Sequence, residues 1–367
     1  MVSPLFESVP PLGYGGTERV VAYLTEALVN MGQNVTLFAS GDSVTSANLV
    51  SVIPEGLRKA SVTVDPIAAH VVQTEQVFRR AEEFDILHFH LDYFQFPAGS
   101  RQTTPFLTTM HGRLDFEWLR QVFETYPNMP LSSISYHQRR PLADLRWVGN
   151  IYHGLPASLY DLHPVHDNYA VFIGRISAEK GLDRAIEISR RAGMRLKVAA
   201  KVDKADKAYY DTMIHPLLKV SPHVEFIGEV GDAQKNDLLG NAAALLFPID
   251  WPEPFGLVMI EAMACGTPCI AFNRGSVPEV IRHGISGFIV DSIAEAVEAL
   301  QRIDDFDRAG CRREFEKRFT AERMAKDYVT LFKELIQQDR KVLYGKSHRR
   351  HYPGQQSVLR PGDLVAG

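Results

Sequence analysis

Residues 171–199, VFIGRISAEKGLDRAIEISRRAGMRLKVA, decide the fold. The run VFIG has the length and apolar content of a buried strand, Leu182–Ala192 reads as a helix, and residues 196–199 read as the next strand. A strand, a glycine-containing turn, a helix and a second strand form a crossover unit, and such units join parallel strands.

The same alternation extends in both directions. Downstream, short apolar runs at 224–227, 244–247, 268–271 and 288–290 read as strands with helices between them, and helix formers fill residues 321–337. Upstream, Val21, Leu24, Leu28 and Met31 recur at helical spacing, followed by β-branched residues 34–39 and apolar runs at 86–89, 106–109 and 147–151. The fold class is therefore α/β, with two Rossmann-like doubly wound domains. The segment HGLPASLYDLHPVHDNY, with its prolines and histidines and no sustained period, reads as the connection between them. We expect a first domain over residues 1–152 and a second over 153–320. A C-terminal helix over 321–340 should pack back on the first domain, and a mobile basic tail should occupy 341–367.

Composition narrows the function classes. At 367 residues with 45% hydrophobic and 23% charged residues, the chain suits two soluble cores. No apolar run reaches the roughly 18 to 20 residues of a membrane span, and the start lacks a signal peptide's basic and apolar regions. The expected location is the cytoplasm. Residues 1–150 hold 11 Lys and Arg against 15 Asp and Glu, which disfavours nucleic acid as a partner. Cys265, Cys269 and Cys311 are too few for a disulfide framework and lack the paired spacing of a zinc site.

Three segments carry candidate chemistry. In GYGGTER, Gly13, Gly15 and Gly16 precede the first helix, where free amides and the helix dipole can hold an anion; the full GxGxxG spacing of a dinucleotide site is missing. In GRISAEKG, Arg175 and Lys180 follow a strand end, where ligands of open α/β sheets sit, and can neutralise a diphosphate. In WPEPFGLVMIE, Gly256 opens a helix, Glu253 stands in the loop before it, and Glu261 lies inside it with an acceptor for a ribose diol. Solvated surface charge is the bland reading of each.

These segments, with TTMHG at 108–112, resemble the retaining glycosyltransferases of family four, which have the GT-B fold and an E-x7-E element. The resemblance spans residues 3 to about 335. It implies that Arg175 and Lys180 bind the donor diphosphate, Glu261 the ribose and Glu253 the transferring sugar. Phe255, Gly256 and Leu257 would add backbone contacts, Gly15 and Gly16 would approach the phosphate, His111 the donor sugar, and Val230 the base through its main chain. The implied reaction moves a hexose from a nucleoside-diphosphate sugar, a UDP-sugar as first guess, to a small-molecule, glycan or lipid-linked hydroxyl acceptor. It needs no cofactor and no metal. Family members begin with a complete strand before the glycine loop, whereas only residues 1–5 precede FESVPP here, so a shortened first strand is expected.

Other readings stand beside this one. Glu253 and Glu261 could serve a glycoside hydrolase as acid and base. The same scaffold supports nucleotide-sugar epimerases, and a catalytically silent sugar-nucleotide binder would need the same residues. Asp305-Phe306-Asp307 has a metal-chelating D-x-D pattern but lies far from a strand end, where solvated charge is expected. His88 and His90 share a strand face and could ligate metal with His111, although no fourth ligand is evident and packing is the plainer role. Tyr93, Phe94 and Phe96 either line an acceptor groove or pack a loop.

Overall fold

A computed structural model describes residues 1–13, 15–60 and 64–349, with side chains described to residue 339. It contains two parallel sheets flanked by helices. The first comprises β1 (Thr36–Ala39), β2 (Asn48–Ser51), β3 (Leu87–Phe89), β4 (Phe106–Thr109), β5 (Leu131–Ser133) and β6 (Trp147–Asn150). β2 pairs with β1, and β3 through β6 pair in sequence order. Between β1 and β3 runs the segment around Val2. Val2 bridges both Phe38 and Phe89, and the Val2 and His90 amides donate to His88 and Val2 carbonyls at 2.8 and 3.0 Å. The short first strand thus sits at the centre of its sheet, where full burial of Val2 and Leu5 anchors it.

The second sheet comprises β7 (Tyr169–Arg175), β8 (Arg195–Lys201), β9 (Val224–Gly228), β10 (Ala244–Phe247), β11 (Cys269–Phe272) and β12 (Gly287–Val290), in the order β12-β11-β10-β7-β8-β9. From β7 the chain winds outward to β9, then returns to β10 on the other side of β7. The crevice at the carboxyl ends of β7 and β10 is therefore the topological switch point. Alternate residues of β7 enter different cores, Val171 with Leu245 and Met259 on one face, Ala170 and Phe172 with Leu246 and Ile186 on the other. A parallel sheet covered on both faces demands such near-continuous apolar runs.

Two segments tie the halves together. Beyond β6 the chain crosses beside the start of the last helix, with the Leu155 amide on the Phe319 carbonyl at 2.9 Å and the Ala321 amide on the Leu155 carbonyl at 2.8 Å. The last helix, Ala321–Arg349, then packs Met324, Tyr328 and Leu331 against Val20, Leu24 and Leu28 of the first helix, Gly16–Asn30. Lys341 through Arg349 continue this helix past the end expected at residue 340, with no proline in the sequence before Pro353. Residues 350–367, the rest of the expected tail, lie outside the described residues.

At the crossing, Gly154 has no room for a side chain, since a methyl group there would lie 2.2 Å from the Thr320 carbonyl oxygen. Gly154→Ala is expected to destabilise the protein by about 1–3 kcal/mol through forced separation of the two strands of chain. The urea midpoint of the variant measures it, and an unchanged midpoint would contradict the packing.

Candidate active site

The site assembles from strand ends and helix entrances. Ile173, Gly174 and Arg175 close β7, Ala199, Ala200 and Lys201 close β8, Glu229 and Val230 follow β9, and Phe247 ends β10; all line one cavity of about 320 Å³. Two helices open on it from opposite sides. Gly15 and Gly16 start the first helix, and Gly256 and Leu257 start the helix Leu257–Ala264. They are close neighbours, because a methyl group on Gly16 would lie 3.8 Å from Leu257 Cδ1. Gly256 holds a left-handed conformation (φ 79°) that only glycine adopts without strain. Two sets of unsatisfied amide donors therefore face one space.

The eleven residues to which the resemblance gives a role all line this cavity: Gly15, Gly16, His111, Arg175, Lys180, Val230, Glu253, Phe255, Gly256, Leu257 and Glu261. The charged ones are paired. Lys180 Nζ lies 2.5 Å from Glu253 Oε2 and 4.4 Å above the Trp251 ring, whose Nε1 donates to the same carboxylate oxygen at 3.0 Å. Lys235 Nζ donates to both oxygens of Glu261 at 3.0 and 3.2 Å. Arg175 donates to Glu179 Oε1 at 2.7 Å. Glu253 and Glu261 are both buried, and an unpaired carboxylate in such a place would be strongly destabilising, so each lysine holds its partner in a fixed orientation.

Sequence reasoning missed Arg19, Lys235 and His153, which also line the cavity. Arg19, one turn into the first helix, forms an ion pair with Asp232 of the second domain and donates to the Gly13 carbonyl at 2.8 Å. Its place just inside GYGGTER was the available signal. Lys235 lies in the helix Asp232–Gly240, directly after Val230, and carries no local motif. His153 sits in the connecting segment, where Arg323 of the last helix donates to the carbonyls of Tyr152 and His153 at 2.7 and 2.9 Å.

The remaining candidates lie elsewhere. Asp307 caps the helix Arg308–Arg318 by accepting from the Gly310 amide and pairs with Arg313, the solvated role expected of the D-x-D run. Among the described residues no group of three or more His, Cys, Asp or Glu is placed to hold a metal ion. Instead His90 Nδ1 meets His111 Nε2 at 2.7 Å, and His88 Nε2 meets Thr109 Oγ1 at 2.8 Å. Phe96 is fully buried in the first domain's core, Phe94 stacks on His70 and Tyr93 on Phe94, so these aromatics pack. The three cysteines are buried thiols. No helix among the described residues is long and apolar enough to cross a membrane.

Burial pushes the imidazoles of His70, His88, His90, His111 and His153 below their ordinary value, His111 to about 3. The unfolded chain would bind protons on these rings near pH 6.5 that the folded chain refuses. Their stabilising contribution is therefore complete above about pH 6.5 and lost as pH falls below it, towards about 3 for His111. Glu18 and Asp92, whose carboxyls burial raises, act in the opposite sense. We expect the histidines to prevail, with a lower melting temperature at pH 5 than at pH 7.5. A flat profile between these values would show that the rings are not held neutral.

Comparison with known proteins follows this geometry. The family model described as Glycosyltransferase Family 4 matches residues 14–179, and that described as Glycosyl transferases group 1 matches residues 161–319. Among curated proteins, the chain is 30% identical over 131 residues to N-acetyl-alpha-D-glucosaminyl L-malate synthase of Bacillus anthracis, covering 34% of each chain. It is 30% identical over 158 residues to D-inositol 3-phosphate glycosyltransferase of Mycolicibacterium smegmatis, covering 41% of this chain and 36% of that one. The matches thus span little more than a third of these two relatives. Among solved structures, AviGT4, a glycosyltransferase involved in avilamycin A biosynthesis, superposes with a TM-score of 0.71 at 24% identity over 91% of this chain and 96% of that one. Sucrose-phosphate synthase of Thermosynechococcus elongatus gives 0.73 at 18% identity, over 91% and 98%.

Proposed function

The chain belongs to the family 4 glycosyltransferases of GT-B fold, and from that premise we propose that it moves a hexosyl group from a nucleoside-diphosphate sugar to a hydroxyl acceptor, with retention of anomeric configuration and without a metal ion. One observation carries the reading: two helix entrances, Arg175 and Lys180 converge on a single cavity at the switch point, beside two buried, lysine-paired carboxylates.

In this reading the diphosphate lies between the entrances at Gly15–Gly16 and Gly256–Leu257, with Arg175 and Lys180 against its oxygens. Glu261 accepts from the ribose hydroxyls, Glu253 and His111 meet the transferring sugar, and the main chain at Val230 meets the base. The glycosyl bond ionises as charge accumulates on the leaving phosphate, which fixed cations and amides stabilise in place of a divalent ion. The acceptor hydroxyl then attacks from the face the diphosphate leaves and passes its proton to the departing phosphate oxygen, so no protein carboxylate needs to become glycosylated. The reaction needs no resident cofactor, and we place it in the cytoplasm. UDP-glucose is the first donor to try and GDP-mannose the second. L-malate and D-inositol 3-phosphate, from the names of two relatives, belong in the acceptor panel with glycans and lipid-linked alcohols.

A panel of nucleotide sugars with release of free nucleoside diphosphate as the readout tests the proposal. Arg175→Ala and Lys180→Ala should each lower turnover by about two orders of magnitude, and excess chelator should leave the wild type unchanged. Wild-type turnover in both variants would remove the diphosphate assignment, and abolition by chelator would remove metal independence.

A further inference from the structure

Three imidazoles meet at the wall of the cavity. His111 and His153 stack with centroids 5.2 Å apart and planes inclined by 15°, and both line the cavity. His90, behind them at the end of β3, is 2% exposed and touches His111 through Nδ1. Its other nitrogen, Nε2, is buried with no hydrogen-bond partner. That orphan atom decides where the protons are.

Two arrangements of the His90–His111 hydrogen bond are available. If His111 Nε2 carried the proton and donated, His90 would have to carry its own proton on Nε2, as a buried N–H without an acceptor. Buried orphan N–H groups are rarer than under-used acceptors, because a donor has one bond to make and no substitute for it. In the other arrangement His90 Nδ1–H donates to His111 Nε2, and the orphan atom is a bare lone pair. His111 then carries its proton on Nδ1, the ring nitrogen other than the one that meets His90, on a half-buried residue that lines the cavity. The same logic applies to His88, whose Nδ1 is buried without a partner while Nε2 reaches Thr109 Oγ1 at 2.8 Å. Thr109 Oγ1 in turn meets the hydroxyl of Tyr328 at 2.9 Å, so the last helix braces this layer.

We propose that His90 is a positioning residue for the transfer: it holds His111 as a neutral imidazole whose Nδ1–H is the hydrogen-bond donor presented to the sugar. This rests on the transferase reading given above. A protonated base cannot accept, so His111 does not deprotonate the acceptor through Nδ1. A neutral donor also suits its place. An imidazolium beside the anomeric carbon would oppose the positive charge that develops there, whereas an uncharged N–H can bind a sugar hydroxyl throughout the reaction. Burial among rings without a carboxylate partner keeps His90, His111 and His153 uncharged.

The test reads the tautomer and the kinetics separately. The full chain labelled with nitrogen-15 histidine is examined by long-range proton–nitrogen correlation, with the His111 signals assigned by their loss in His111→Gln. The Nδ1–H pattern is expected in the wild type and in His90→Asn, whose amide N–H reaches the place of Nδ1. His90→Leu should shift His111 towards the Nε2–H form. With UDP-glucose as the probe and UDP release as the readout, His90→Leu should lose on the order of tenfold in kcat with KM little changed, and His90→Asn should recover most of it. An Nε2–H tautomer in the wild type overturns the proposal, as does equal loss in the Asn and Leu variants. If the Nδ1–H pattern is found but the wild type releases nucleoside diphosphate from no nucleotide sugar, the transferase reading fails while the tautomer assignment stands.

Discussion

The Lys180–Glu253 ion pair is the contact on which the geometry of the cavity depends. It joins the turn after β7 to the loop after β10, the two segments that diverge at the switch point and leave the crevice between them. The loop is pinned on its other side as well: the Ser276 amide donates to the Glu253 carbonyl at 2.9 Å, and Gly275 packs so closely that a methyl group there would fall 2.3 Å from the Glu253 nitrogen. Breaking such a buried pair leaves an uncompensated charge, which is why one partner cannot be lost without disturbing the other. Lys235 and Glu261 repeat the device one step deeper. A ligand entering this cavity therefore meets carboxylates already aimed, and it competes with lysines for them rather than ordering them.

The two halves meet through apolar packing, with Ile134 and Tyr23 against the second domain's core and Leu257 against the first helix, and through polar contacts. Ser135 Oγ donates to the Pro254 carbonyl at 2.7 Å, the Tyr136 and His137 amides donate to Glu279 at 2.7 and 2.6 Å, Arg19 pairs with Asp232, and Arg113 stacks over Trp251 at 5.5 Å. The last helix adds an apolar contact of its own, returning to the first domain and lying along the first helix. Its Arg323 grips the connecting segment at Tyr152 and His153, which ties that segment to the helix packed on the first domain.

Most of the central strands were legible in the sequence because parallel strands buried on both faces need apolar runs, and β7, β8, β10 and β11 carry them at residues 170–173, 198–200, 244–247 and 269–272. Two strands were not. β5 is Leu-Ser-Ser, whose hydroxyls read as a turn, yet Ser132 and Ser133 are fully buried. Ser133 Oγ donates to Asn150 Oδ1 at 2.7 Å. β2 lies at the sheet edge, half exposed, and carries too little apolar pattern to announce itself. The cavity residues divide the same way. Those next to glycines at strand ends or helix entrances had a local signature, whereas Lys235 and His153 come from a helix face and a linker, and only tertiary packing brings them in. The pairing of histidines was half visible: alternation placed His88 and His90 on one strand face, but the partner of His90 depends on the register of β3 with β4, which pairs His88 with Leu107 and carries His90 towards His111.

That register gives the cavity an electrical asymmetry. Arg175, Lys180, Arg19 and Lys235, each paired with a carboxylate, line it with the two helix entrances, while His111 and His153 contribute uncharged, stacked rings, with Phe255 edge-on to His153 at 4.9 Å. A nucleotide sugar has the matching division, anionic at the diphosphate and neutral at the sugar. During the proposed transfer the division sharpens, since negative charge grows on the phosphate and positive charge on the ring. Cations at the first, and neutral imidazoles beside the Glu253 carboxylate at the second, suit both changes together, and a positive charge on the imidazoles would oppose the second. The rings that burial keeps neutral are thus the ones where a positive charge would do most harm to the chemistry.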